Sequence, residues 1–411
     1  MKLSPTAQKL FEAFEDFEII DAHEHLPPEH VRVEQDVDFA TLFSHYTRSD
    51  LIAAGMAPRD YDRLHDASLP LDYRWRLFEP FLPHIRHGSY ARAAFIAAKE
   101  FYGCDDISAQ TYTLISERMK EANKPGIYKR ILREKCRIRS ALTQANRTDY
   151  DLDLLIPIMP LDTYAGIRTW QQIQDRAREL GQVVNSLDDY LATVRQGLAR
   201  WKEQGVVGIK MASRPYCEPD RSEAVSCFEK LRAGCEKELA DMNPLRDFVT
   251  RQMLDMAAQL DLVVAVHAGV WGDFRTLDPT HIIPIVMAHS STRFDLYHAG
   301  MPYVRETAFI GKNFPNIWLN LCWSHIVSPR MACSTLDEWI DIVPMNKIIA
   351  FGGDYGKPVE KVYGHLVVAR ENIASVLGGR VEAGMMKESE AVEIARRWFL
   401  TNAVELYRLK A

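Results

Sequence analysis

The chain has 411 residues, 47% hydrophobic and 26% charged, with a net charge of −6. That is ordinary globular composition with length for a large core. It carries no basic stripe of the kind that binds nucleic acid and no apolar run long enough to span a bilayer. Seven scattered cysteines without a CxxC pair read as reduced thiols, so a cytoplasmic protein is expected, with no secretory signal in "MKLSPTAQKLFEAFEDF".

The first element is a short strand, Phe17–His23, running into "IIDAHEHL". Side chains two apart on a strand point the same way, so His23 and His25 leave its end aimed at one point. Two neutral imidazoles so placed suit a divalent metal. Alone, an HxH is equally well a pair of satisfied polar residues, and the rest of the chain must decide. Asp21 lies within the strand and is expected to support it by hydrogen bonding.

Residues 26 to 135 then break the pattern with helical stretches such as "DFATLFSHYTRSDLIAAG" and "YARAAFIAAKEFYG". Seven further strands follow: Arg137–Thr143, Leu154–Leu161, Val206–Met211, Leu262–His267, Arg293–His298, Asn316–Trp323 and Lys347–Gly352. Most are apolar on both faces, as parallel strands buried on both sides must be. Amphipathic helices separate them; "LDDYLATVRQGLARWKEQG" stops at Gly205 and "TLDEWIDIVP" at a proline. Strand then helix, eight times, predicts a (β/α)8 TIM barrel. Its expected parts are an N-terminal helix and first strand (1–25), a helical insertion (26–135) and the remainder of the barrel with a C-terminal helix (136–411). An insertion after the first strand emerges on the C-terminal face, so it is expected to cap the site, with Arg74, Trp75 and Arg76 facing the substrate.

The strand ends carry the chemistry. His23 and His25 close the first strand, Lys210 lies near the end of the fourth, His267 ends the fifth and His298 the sixth. Trp323 ends the seventh with His325 just beyond, and Asp354 follows the eighth. The other eight histidines (His30, His45, His65, His84, His87, His281, His289 and His365) scatter over helices and loops and are assigned structural roles.

This arrangement resembles the amidohydrolase superfamily: HxH after strand 1, histidines after strands 5 and 6, aspartate after strand 8. "HAGMPYVRE" is similar to a segment of the amidohydrolase-related hydrolases and decarboxylases, "FGGDYG" to their strand-8 motif, and "RRWFLTNAVELYRL" to their closing helix. The helical region after "DAHEHL" also resembles uronate isomerases. The resemblance implies a divalent metal, most readily Zn2+ with Mn2+ or Fe2+ as alternatives, on His23, His25, His267 and Asp354. Asp354 would also act as base, and His298 would be catalytic from beside the metal. Lys210 is either a carbamate between two metals or a group that binds a substrate carboxylate. Arg214, Tyr216, Arg305, Trp323 and His325 are further substrate-binding candidates. The leading expectation is a hydrolase whose metal-activated water attacks an amide, lactone or ester carbonyl of a small polar molecule. Rivals are a non-oxidative decarboxylase, a uronate-isomerase-like sugar isomerase and a catalytically inert binding barrel. The expected partner is a small molecule that can bear a carboxylate, with neither nucleic acid nor membrane; a homo-oligomer stays open.

Overall fold

A computed structural model describes residues 2–144, 146–235 and 243–410. Eight strands follow one another in sequence order around a single parallel sheet: β1 (Ile19–Glu24), β2 (Ile138–Gln144), β3 (Leu155–Pro160), β4 (Gly208–Ala212), β5 (Val263–His267), β6 (Phe294–Leu296), β7 (Ile317–Asn320) and β8 (Ile348–Ile349). Beyond β8, Ala22 N donates to Phe351 O at 3.1 Å and Asp354 N to His23 O at 2.8 Å, which brings the last strand's extension back to the first. The molecule is a (β/α)8 TIM barrel.

The helices between strands start and stop where local chemistry dictates. Ser186 caps Leu187–Glu203 and exchanges bonds with Asp189, and Asp220 does the same with Glu223 ahead of Arg221–Arg232. Gly205 then turns the chain at φ +89°, a conformation that costs glycine nothing.

All eight expected strands are present, and the last three are cut back most against the expected bounds. The residues beyond them leave the ladder because the backbone turns left-handed: His298 has φ 63°, Trp323 φ 60° and Asp354 φ 64°. Non-glycine residues held there cost on the order of 1–3 kcal/mol each, and such positions cluster at functional sites.

Between β1 and β2 the chain runs through short helices, from Glu29–Val33 to Tyr112–Ala122, with a core of their own that includes Phe39, Phe43, Leu51, Trp75, Phe78 and Met119. Helix Ser89–Tyr102 packs this unit against the long helix Glu360–Glu382 that follows β8. Arg32 fastens the same junction, donating to Lys357 O and to the Glu360 carboxylate at 3.0 Å each while buried.

Arg74, Trp75 and Arg76 do not face a substrate, contrary to expectation. Arg74 is buried against Asp38 at 2.6 Å, Trp75 stacks on Tyr112 inside the unit's core, and Arg76 is exposed beside Asp72. A short helix must bury one face to be stable, and Arg74 and Trp75 belong to the face that this unit buries in itself, while Arg76 lies outside it.

A candidate metal centre at the strand ends

Three groups converge where β1 meets the segment after β8. His23 Nε2 lies 3.1 Å and His25 Nε2 3.4 Å from Asp354 Oδ1, and one ligand atom from each residue lies within 4.8 Å of the others. His23 and Asp354 are buried, while His25 keeps 36% of its side chain open. Both His23 ring nitrogens and Asp354 Oδ1 are buried without a hydrogen-bond partner among the described residues. Burial holds the His23 and His25 pKa values down, His25 to about 3. Burial alone would raise Asp354, but His23, His25 and His298 outweigh it and hold its carboxyl well below the usual range. Neutral imidazoles and an ionised carboxylate oxygen thus crowd one point. That arrangement fits a divalent cation, from borderline-soft nitrogen and hard oxygen donors.

His267 and His298 stand beside this cup rather than at its centre. His298 Nε2 is 2.9 Å from His267 Nδ1, and the His298 ring is edge-on to His23 at 5.3 Å between centroids. Burial first and then Lys210 hold His267 at about 3; burial and His267 hold His298 well below its ordinary value. Lys210 lies over the Tyr297 ring at 5.6 Å, its pKa pushed down by burial.

The sequence motif "FGGDYG" has a steric reason. A Cβ at Gly353 would collide with the Glu24 carboxylate, and one at Gly352 would press on Cys322 and His23. The loop carrying Asp354 therefore lies directly on β1. Asp21 Oδ1 accepts from the main-chain N–H of Gly353 at 3.0 Å, and Glu24 Oε2 from that of Tyr355 at 2.6 Å. Burial lifts Asp21 to about 6, and burial together with Asp21 lifts Glu24 well above its ordinary value.

The remaining candidates separate. Trp323 forms a wall, 5.5 Å edge-on to His298 and stacked on Tyr46 at 4.1 Å. His325 is not in the wall: it is wholly buried, bonded through Nε2 to Ala350 O at 2.9 Å and through Nδ1 to Asn372, because the turn after β7 folds it backward. Arg305 is on an exposed helix face, paired with Glu338 at 2.7 Å, and does not reach the cup. Arg214 is engaged by Asp247 and stacks on Tyr216 at 4.0 Å; the Tyr216 hydroxyl donates to Ala212 O.

Two residues of the cup were missed in the sequence. Tyr46 stacks on Trp323, and burial together with the nearby Asp354 carboxylate raises its pKa well above the ordinary value. His45, with φ 62°, packs on Tyr46 at 3.9 Å and senses both Asp354 and His23. Both come from the segment between β1 and β2, where no strand periodicity marks a position as facing the barrel. Glu24 was visible as the middle residue of the HxH but carried no signal of its own.

A family model described as Amidohydrolase matches residues 167–409, more than half the chain, and the protein belongs to that family. Protein fluG of Emericella nidulans is 28% identical over 147 residues, a match spanning 33% of this chain and only 17% of that relative's length. Among solved structures, a uronate isomerase from Thermotoga maritima superposes with a TM-score of 0.81 at 16% identity, covering 98% of both chains. A glucuronate isomerase from Caulobacter crescentus superposes at 0.80 and 16% identity, covering 99% of this chain and 95% of that one. These likenesses establish the fold, including the helices between β1 and β2. Among the described residues no helix is long and apolar enough to cross a membrane.

Proposed function

We propose that this protein is a metal-dependent hydrolase that opens an amide, lactone or ester bond of a small polar molecule with water. The observation that carries the reading is the convergence of His23, His25 and Asp354, with unpartnered ligand atoms, on one point at the C-terminal ends of the strands. A divalent ion held there, Zn2+ most readily with Mn2+ or Fe2+ as alternatives, would polarise the carbonyl and make a water more acidic. His267 would complete the ligand set from β5.

Asp354 is ionised and so ready to accept the attacking water's proton and return it to the leaving group. His298, through Nε2, fixes the His267 ring and stands within reach of the scissile group. Lys210 is assigned to substrate binding and Trp323 to the pocket wall. Residues 26–135 serve as the cap, since Tyr46 packs from there on the Trp323 wall, and a covered cup excludes water. Seven scattered cysteines without a CxxC pair suit a reducing compartment.

A sugar isomerase is the second reading. Tyr46 near Asp354 offers a second proton-carrying group for moving a proton between neighbouring carbons. The test is to load the protein with Zn2+ or Mn2+ and offer lactones, N-acyl amides and esters beside uronates. Acid release that Asp354→Asn abolishes supports hydrolysis. Ketose formation from uronates without acid release moves the assignment to the isomerase, and release of CO2 from a carboxylated substrate moves it to a decarboxylase.

A further inference from the structure

The two β1 histidines are held by different means. His25 Nδ1 lies 3.1 Å from Gln144 O, a partner that orients the ring and leaves Nε2 free. Metal-binding imidazoles nearly always have such a partner on the second nitrogen. His23 has none among the described residues. Of the three rings packed on it, Tyr297 is nearest, edge-on at 77° with centroids 4.4 Å apart; His25 and His298 are at 5.2 and 5.3 Å.

Tyr297 is itself anchored in the barrel floor. Its hydroxyl accepts from Gln144 Nε2 at 3.2 Å and lies 3.3 Å from the Tyr407 hydroxyl. Tyr407, on the last helix Asn402–Tyr407, donates to Asp295 Oδ2 at 2.7 Å, and Asn320 Nδ2 donates to the same oxygen at 3.0 Å. Tyr297, Tyr407, Asp295 and Asn320 are all buried. Gln144 therefore serves both histidines: its carbonyl takes His25, and its side chain takes the ring that packs on His23.

We infer that Tyr297 is a positioning residue of the metal centre, its ring setting the plane of His23. Through Gln144, Tyr407 and Asp295 it also ties metal affinity to the C-terminal helix. The inference rests on the reading that His23 and His25 hold a divalent ion.

The test uses the full chain stripped of metal and titrated with Zn2+ in a calorimeter. Tyr297→Phe keeps the ring but loses its anchors to Gln144 and Tyr407, and should bind severalfold more weakly than wild type. Tyr297→Leu keeps bulk but loses the ring and should bind at least ~10-fold more weakly, the scale of lost outer-shell support. Its Co2+-loaded form should show altered visible absorption bands, which a merely structural loss would not produce. Equal Zn2+ affinity and identical Co2+ bands in wild type and Tyr297→Leu overturn the inference. If Tyr297→Leu does not fold, Tyr407→Phe carries the test: severalfold weaker Zn2+ binding supports the inference, and unchanged binding overturns it. A wild type that takes up no metal overturns instead the reading beneath it.

Discussion

His23 reaches the cup from β1 and Asp354 from the loop after β8 that is hydrogen-bonded onto β1, whereas Tyr46 reaches it from a turn between short helices. The first half of the site inherits its geometry from the sheet: alternate side chains share a face, and strand ends face one rim. The second half depends on how the β1–β2 segment packs on itself and on the helix after β8. A cup assembled from both can keep its ion with one half and change its substrate with the other.

The largest expected effect separates the halves outright. His23→Ala with His25→Ala should leave a folded protein nearly free of metal by elemental analysis, since two of the three converging donors are gone. Tyr46→Phe should keep full metal. Full occupancy in the histidine double variant would remove the rim's claim to the ion.

Asp354→Asn comes next. The amide preserves shape but cannot act as the base, and loss of a general base costs ~10²–10⁴-fold in turnover. Metal content and ground-state ligand affinity should stay close to wild type. Near-normal turnover would end the proton-shuttle role and favour the decarboxylase reading, in which no water needs a base. His289→Asn is the matched control: it pairs with Asp255 at the end of helix Ile283–Ala288, and turnover should not change.

Within the second half, two aromatic residues should behave oppositely. Tyr46→Phe keeps the ring stacked on Trp323 and removes the hydroxyl near Asp354, so turnover should fall while urea-unfolding stability changes little. Trp75→Ala empties part of the buried core and should cost ~3–5 kcal/mol in stability, measured by urea unfolding, with kcat per folded molecule preserved. If Trp75→Ala instead altered kcat alone, the segment's core would be part of the site after all.

That opposition also explains what could be read from the sequence. The barrel and its rim were legible because apolar runs of strand length recur with helices between them, and histidines at the ends of such runs stand out against eight scattered ones. The β1–β2 segment has no such register. Arg74 and Trp75 looked like substrate contacts because they are large and functional in kind, yet Asp38 and Tyr112 claim them. His45 looked like one of the scattered histidines, although a left-handed backbone turns it toward Asp354. Arg305 failed for a related reason: its distance from a strand-end motif was visible, but the helix face it occupies was not.

The smallest effect lies in the barrel floor, away from both halves. Burial lifts Asp295 to about 7 against an ordinary 3.8, with Tyr407 and Asn320 opposing the rise. The folded protein therefore holds this proton up to about pH 7, while the unfolded chain releases it near pH 4. Between those values the folded state binds more protons, so this residue's contribution to stability falls as pH rises, by at most ~1.4 kcal/mol per pH unit, and levels off above 7. Asp295→Asn is neutral throughout and can still accept from Tyr407 and Asn320. Subtracting its urea-unfolding stability from that of wild type, both metal-free, should give a difference that moves against wild type from pH 4 to 7 and is flat above. A flat difference across that window would mean that Asp295 is ionised in the folded barrel and that its two donors outweigh its burial.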